Sequence, residues 1–248
     1  MDKRNIYFVS DVHLGLEVND PVEREARFVA FLRSIPADAT HALYLLGDIW
    51  DFWYEYRDVV PKGSVRVFAA LMDLMDAGVE VYFCRGNHDI WCYSYFESMG
   101  MHVISQPHVF EFCGKTFCVG HGDGLGDVGS GYKLMNAAFK CRALQWLFSL
   151  LHPWLAFRLG KGWSKNNRLS RGCAYEFKGE QEPLYRYAEE FGRPLHVDYF
   201  IFGHYHAPYS CVLPCGAQLL LLDDWMDASD YLYFDGITVG SGHCRNTE

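Results

Sequence analysis

The 248-residue sequence predicts an α/β fold, a layered sandwich of two mixed β-sheets flanked by helices and interrupted by a helical cap. Three observations lead there. The chain begins with a strand, helix, strand, helix, strand alternation, turns after Gly100 into short strands joined by tight turns, and carries an acid-free helical stretch at 128–175.

Strand-like apolar runs at 6–10, 42–46 and 79–84 alternate with helical patterns at 21–35 and 64–77. The first helical pattern opens on Pro21 and carries Phe28, Val29, Phe31 and Leu32 on its apolar side. Further on, the runs 109–112 and 116–119 flank Cys113-Gly114-Lys115, and 209–213 and 218–222 flank Pro214-Cys215-Gly216. A last strand pair is expected at 231–234 and 237–239 around Asp235-Gly236. Within the insertion, Cys141, Leu144, Phe148, Leu151 and Leu155 step by three and four, while Trp146, Leu147 and Leu150 widen the apolar face beyond one core contact. The expected division is a core of 1–127 and 176–248 with a cap of 128–175. A helical hairpin packed on the core and a cap that touches ligand or lipid both fit that pattern.

Half of the residues are apolar, enough to bury a full core. No run approaches the roughly 20 apolar residues of a spanning helix, and Met1-Asp2-Lys3-Arg4 leads straight into a strand. The expectation is a cytoplasmic protein, neither exported nor membrane-spanning. The nine cysteines include no CxxC, and the closest pair, Cys211 and Cys215, matches neither a zinc ribbon nor a thioredoxin motif. Buried thiols in a reducing compartment are expected. The net charge of −9 disfavours nucleic acid as a partner. It conceals an asymmetry, because 128–175 holds eight Lys and Arg and no acid, which makes it +8 and the remainder −17.

Chemistry-bearing residues cluster in five short motifs that each follow a strand-like run: Asp11-Val12-His13, Gly47-Asp48, Gly86-Asn87-His88-Asp89, Gly120-His121 and Gly203-His204-Tyr205-His206. In extended backbone, residues two apart point the same way, so Asp11 with His13, and His204 with His206, can each reach one ion. Glycines beside them let the main chain turn and approach closely. Carboxylate, amide and imidazole donors without a thiolate suit Mn²⁺, Fe²⁺ or Zn²⁺ and argue against a structural zinc.

In this order the motifs resemble the calcineurin-like metallophosphoesterase superfamily. The resemblance implies one metal held by Asp11, His13, Asp48 and His206 and a second held by Asp48, Asn87, His121 and His204, with Asp48 as bridge. It also implies that His88 acts near the leaving group, kept protonated by a pairing with Asp51. Two divalent ions less Asp11, Asp48 and a bridging hydroxide leave about +1, which favours a phosphoryl anion. Ions about 3.5–4 Å apart can share and acidify a water for in-line attack at phosphorus.

Within the superfamily the chain resembles the UDP-2,3-diacylglucosamine pyrophosphohydrolases of lipid A biosynthesis. The resemblance rests on Ser10-Asp11-Val12-His13-Leu14-Gly15, Gly47-Asp48-Ile49-Trp50-Asp51-Phe52-Trp53, His121-Gly122-Asp123 and the placement of the insertion. It implies two Mn²⁺ ions, hydrolysis to UMP and 2,3-diacylglucosamine 1-phosphate, a cap that receives acyl chains, and substrate contacts from Asn87, His88, Ser164, Arg168 and Arg171. The chain departs from the best-known members in carrying His88 where they have Arg, and Asp223 where their Leu-Gly-Asp-Trp has Gly. A basic cap containing Trp146, Phe148, Trp154, Phe157 and Trp163 suits a substrate both anionic and greasy, and also suits an anionic membrane surface on the cytoplasmic side. Two other readings stay open: a soluble metallophosphoesterase acting on nucleotides or other phosphodiesters, and a non-catalytic scaffold with the same fold.

Overall fold

A computed structural model describes residues 3–171, 175–226 and 229–244, the side chains of 166–171 excepted. Among the described residues, eleven strands run in the order β1 (Asn5–Val9), β2 (Thr40–Leu46), β3 (Glu80–Cys84), β4 (His102–Ile104), β5 (His108–Phe112), β6 (Lys115–Gly120), β7 (Tyr199–Phe202), β8 (Tyr209–Val212), β9 (Gln218–Leu221), β10 (Asp230–Phe234) and β11 (Val239–His243). The α-helices are α1 (Pro21–Ser34), α2 (Val65–Asp76), α3 (Tyr95–Ser98), α4 (Ser130–Lys140), α5 (Arg142–Ser149), α6 (Pro153–Arg171) and α7 (Pro183–Leu195).

Two mixed sheets result, with strand orders β11-β10-β1-β2-β3-β4 and β5-β6-β7-β9-β8. In the first, β1, β2, β3 and β4 are parallel and β10 and β11 antiparallel. In the second, β6, β7 and β9 are parallel while β5 and β8 pair antiparallel at the edges. Alternate residues of each central strand serve two cores. Ile6, Phe8, Ala42, Tyr44 and Leu46 meet Phe117, Val119, Tyr199, Ile201 and Leu220 between the sheets. Val9, Leu43, Leu45, Val81 and Phe83 point outward against Phe28, Phe31, Leu32 and Leu71 of α1 and α2. On the other side Phe200, Phe202, Leu219 and Leu221 pack against Leu184, Tyr185 and Ala188 of α7. Each such fully buried Leu or Phe contributes about 1.5–3 kcal/mol, which fixes the sheets face to face.

Local sequence sets the element ends. Asp20 caps α1 by accepting from the Glu23 N–H at 3.0 Å, and Pro21 opens the helix where no backbone donor is needed. The expected strand at 237–239 begins later, at Val239. Asp235 Oδ1 accepts from the Ile237 and Thr238 N–H groups, both at 2.9 Å, and wraps these residues into the turn.

The insertion folds as three helices, α4, α5 and α6. Its step pattern breaks at Cys141, which is extended, and again before Pro153. The apolar face divides accordingly. Phe148 packs on Tyr54 and Trp91, with ring centroids 4.9 and 5.1 Å apart, while Trp146 and Trp154 are 61% and 62% exposed. Core side chains anchor the helices through their carbonyls: Tyr54 Oη donates to Gln145 O at 2.7 Å, Trp91 Nε1 to Phe139 O at 2.9 Å and Tyr56 Oη to Leu151 O at 3.2 Å.

Candidate metal centre

All seven predicted ligands lie just beyond the carboxyl ends of parallel strands: Asp11 and His13 after β1, Asp48 after β2, Asn87 after β3, His121 after β6, and His204 and His206 after β7. Loops leaving such strand ends gather functional groups over one edge of the sheet. Here both sheets contribute to one cluster.

The local backbone is strained. Asp11, His13, Asp48, His204 and His206 all take positive φ, between 49° and 71°, a left-handed region that costs a non-glycine residue energy. Main-chain bonds hold it: Asp11 N donates to Gly47 O at 3.1 Å, His13 N to Asp48 O at 2.9 Å, and Trp225 N to Asp11 O at 3.1 Å. Two glycines permit the closeness, since a Cβ at Gly86 would collide with the Asp48 carboxylate and one at Gly203 with the Asp11 carboxylate.

Each ligand carboxylate is anchored by one oxygen and presents the other. Asp11 Oδ2 accepts from His204 N at 2.9 Å, leaving Oδ1 3.3 Å from His206 Nε2 and 3.7 Å from His13 Nε2. Asp48 Oδ1 accepts from His88 N at 2.8 Å, leaving Oδ2 3.4 Å from His121 Nε2, 3.9 Å from His88 Nε2 and 4.0 Å from His13 Nε2. Asp48 therefore stands between two donor groups. Asn87 Oδ1 lies 3.3 Å from His121 Nε2, and the His204 ring packs on that of His121 at 5.1 Å between centroids. Donor atoms of Asp11, His13 and His206 lie within 4.8 Å of one another, as do those of Asp11, Asp48 and His121.

Opposite ring nitrogens are fixed from behind. His121 Nδ1 donates to Leu46 O at 2.9 Å, His206 Nδ1 meets Asp224 Oδ2 at 2.8 Å, and His13 Nδ1 faces Asp51 Oδ1 at 3.3 Å. That arrangement aims each Nε2 into the cluster and raises its basicity as a ligand. Among the described residues, Asp11 Oδ1 and His13 Nε2 are buried without a hydrogen-bond partner. Unsatisfied buried donors of mixed oxygen and nitrogen type fit two divalent cations.

Electrostatics agree. Burial alone would raise the Asp48 carboxyl, but the surrounding His121, His88 and His13 overcome it and hold it well below the ordinary range. Burial lowers His13, yet Asp11, Asp51 and Asp48 outweigh it and push the imidazole up to about 9. His121 is raised for the same reason by Asp48 and Asp11. Burial and the adjacent His121 lower His204 to about 4, keeping it neutral and able to ligate.

The other predicted residues fall as follows. His88 Nδ1 donates to the main-chain carbonyl of Asp51 at 2.8 Å, while the Asp51 carboxylate is 3.7 Å away and closer to His13. His88 and Asp51 are thus neighbours, joined through backbone instead of by a carboxylate hydrogen bond. Ser164 is 3% exposed and its hydroxyl donates to Asp51 Oδ1 at 2.6 Å. The side chains of Arg168 and Arg171 lie outside the described residues.

Sequence reasoning did not single out the roles of Asp224 and Asp89. Asp224 follows β9, the third parallel strand of the second sheet, and orients His206. Asp89 closes its own motif by accepting from Gly86, Ile49, Trp50 and Asp48 N–H groups at 2.8–3.3 Å. Burial and the Asp48 charge push it up to about 7, against those four donors. Its position as the last member of Gly-Asn-His-Asp was the available signal.

Beside the cluster opens a cavity of ≈240 Å³ lined by Phe52, Asn87, His88, Ile90 and Trp91 and by Phe139, Phe148, Leu159 and Trp163 of α4, α5 and α6. Nearly all of its wall is apolar, and its polar end is the Asn87-His88 pair.

Comparison with known proteins places these features. A "UDP-2,3-diacylglucosamine hydrolase" from Porphyromonas gingivalis is 36% identical over 253 residues, spanning 96% of each chain. One of the same name from Proteus mirabilis is 30% identical over 205 residues, spanning 81% of each. Among solved structures, a dimetal phosphatase from Danio rerio is similar over 99% of this chain and 100% of its own, at 13% identity and a TM-score of 0.49. The Calcineurin-like phosphoesterase family model matches residues 4–208, a span that takes in every one of the five motifs, and the chain belongs to that family.

Proposed function

We propose that the protein hydrolyses the pyrophosphate of UDP-2,3-diacylglucosamine, releasing UMP and 2,3-diacylglucosamine 1-phosphate, with two Mn²⁺ ions at the seven-ligand cluster. The observation that carries this is the shared wall. Asn87 and His88 belong both to the metal cluster's edge and to the apolar cavity, so a phosphoryl group at the cluster would have a greasy neighbour within reach. Relatives that bear the name of this activity run nearly the full length of the chain.

Two divalent cations at these ligands would supply Lewis-acid activation of a water and of the phosphoryl group. The chain supplies the rest. Asp48 presents one oxygen to both donor groups, which sets their separation. His88, its Nδ1–H held by the Asp51 carbonyl at 2.8 Å, keeps Nε2 on the substrate side, where the imidazolium form would donate its second proton to the departing phosphate oxygen. Phe139, Phe148, Leu159 and Trp163 exclude water from one flank and receive the acyl chains there. Residues 128–175 act as a cap in this reading, and Arg168 and Arg171 at the end of α6 contact the sugar phosphate.

The outer face of the cap would rest on an anionic bilayer at the cytoplasmic side of the inner membrane. Trp146, Leu147, Leu150 and Trp154 are exposed there among Arg142, Arg158 and Lys161. Among the described residues no helix is long and apolar enough to cross a membrane.

The test is mass spectrometry of products from an acylated UDP-glucosamine incubated with the Mn²⁺-loaded protein. UMP with an acylated sugar 1-phosphate supports the proposal. Turnover of simple nucleotides with none of the acylated substrate would replace it by the nucleotide-hydrolase reading.

A further inference from the structure

The loop that carries Asn87 and His88 lines a second cavity. It measures ≈160 Å³ and is bounded by Arg85, Gly86 and Ile90 of that loop, by Ile104, Ser105 and Gln106 after β4, by Asp123 after β6, and by Lys140 at the end of α4. Ile90 is common to both cavities, but their chemistry is opposite. The first is walled by aromatic and aliphatic side chains. The second presents two cations, a carboxylate, an amide and a hydroxyl.

We propose that this polar cavity seats the ribose and phosphate of the nucleotide half of the substrate, an inference that rests on the function proposed above. An acyl chain there would leave Arg85 and Lys140 facing hydrocarbon, which is costly. Neither cation forms an ion pair among the described residues. Arg85 is braced by its Nε, which donates to Cys92 O at 3.2 Å. The opposite wall is prebuilt. Gln106 Nε2 donates to Asp123 O at 2.8 Å and to Asp123 Oδ1 at 2.6 Å, while its Oε1 accepts from Gly122 N at 2.7 Å. Tyr132 Oη donates to Asp123 Oδ2 at 3.0 Å.

Each Asp123 oxygen thus has one donor and a further lone pair to offer, the usual demand of a ribose hydroxyl. Arg85 and Lys140 outnumber Asp123 two to one, which suits a phosphate monoester. Asp123 and Gly86 adjoin the ligands His121 and Asn87 in sequence, so a nucleotide here would lie beside the cluster. The base would face the open side near the exposed Ser105 and Lys140. A substrate with one greasy and one nucleotide end would then straddle the 86–90 loop, its nucleotide-side phosphate lying between the cavity's cations and the metal cluster.

Calorimetric titration of UMP, and separately of inorganic phosphate, into the Mn²⁺-loaded full chain tests this. In Arg85→Gln/Lys140→Gln the Kd for UMP should rise at least about tenfold while that for inorganic phosphate changes by less than about twofold. The single variant Lys140→Gln, at an exposed position, should show part of the same selective loss and guards against a folding artefact. Unchanged UMP affinity would overturn the assignment. So would equal weakening of both ligands, which would mean that the cations act on any anion at the metals. An absence of UMP among the products of the acylated substrate would instead remove the function proposed above, so the two failures are distinguishable.

Discussion

Ser164 donates a hydrogen bond to Asp51 Oδ1 at 2.6 Å, joining α6 of the cap to a carboxylate 113 residues earlier in the chain. Because Asp51 also faces His13 Nδ1 at 3.3 Å, an α6 residue helps to aim a proposed metal ligand. Ser164→Ala should weaken Mn²⁺ binding at the site containing His13, by less than the roughly 10–100-fold expected for loss of Asp51 itself, because Ser164 acts on His13 only through Asp51. Ser164→Thr, which keeps the hydroxyl, should restore most of it. Mn²⁺ titration calorimetry distinguishes the two, and equal affinity in wild type and Ser164→Ala would show that Asp51 needs no help.

Removing metal should reverse the pH dependence of stability. His13 is raised to about 9 and His121 well above its ordinary value by their carboxylate neighbours. A raised histidine contributes stability that is complete below about pH 6.5 and is lost as pH climbs through its folded value. In EDTA the Tm should therefore fall between about pH 6.5 and 9, by on the order of 5 °C. With saturating Mn²⁺ the same interval should bring no loss, because ligating nitrogens must shed their protons and binding tightens as pH rises. Parallel thermal scans settle it, and identical slopes in the two conditions would contradict the assigned protonation.

Much of the site was legible because its residues lie in motifs that end strands, and a strand end is visible as an apolar run meeting glycine. Asp11, Asp48, Asn87 and His121 stood out as a set only through the order of those motifs and its resemblance to a family, since each motif alone reads as a turn or a satisfied polar residue. The alternation over residues 5–84 and the hairpins around Gly114 and Gly216 were readable for the same local reasons. The strand before Gly203 was expected without bounds, and α7 was not marked as an element although Pro183 opens it. Asp224 could not be assigned because its meaning depends on β9 lying parallel beside β7, a long-range pairing. The stepped apolar residues 141–155 were legible as helical, but the breaks at Cys141 and Pro153 were not, because chain geometry there overrides hydrophobic spacing.

Arg24 is another residue whose role only tertiary structure discloses. It is fully buried on α1, and its guanidinium donates to Val18 O at 2.9 Å, to His13 O at 3.1 Å and to Leu16 O, bracing the loop behind His13. Its sequence spacing from Phe28 and Phe31 placed it on the apolar face. Arg24→Met leaves buried carbonyls without a donor and should cost about 3 kcal/mol or more in urea unfolding of the metal-free protein. A change below about 1 kcal/mol would mean that water replaces the guanidinium.

The exposed tryptophans of the cap give a separate test of the membrane reading. Trp146→Ser/Trp154→Ser should reduce cosedimentation with phosphatidylglycerol vesicles by about fivefold or more, since both lie in an acid-free, basic surface. Retained binding would locate any lipid contact elsewhere.

The central claim is that seven side chains from both sheets hold a pair of cations with Asp48 between them. Anomalous diffraction from crystals soaked in Mn²⁺ measures this directly. Two peaks about 3.5–4 Å apart, flanking Asp48 Oδ2, with Asp11, His13 and His206 around one and Asn87, His121 and His204 around the other, are the predicted result. A single peak, or peaks that leave Asp48 outside both coordination shells, would contradict it.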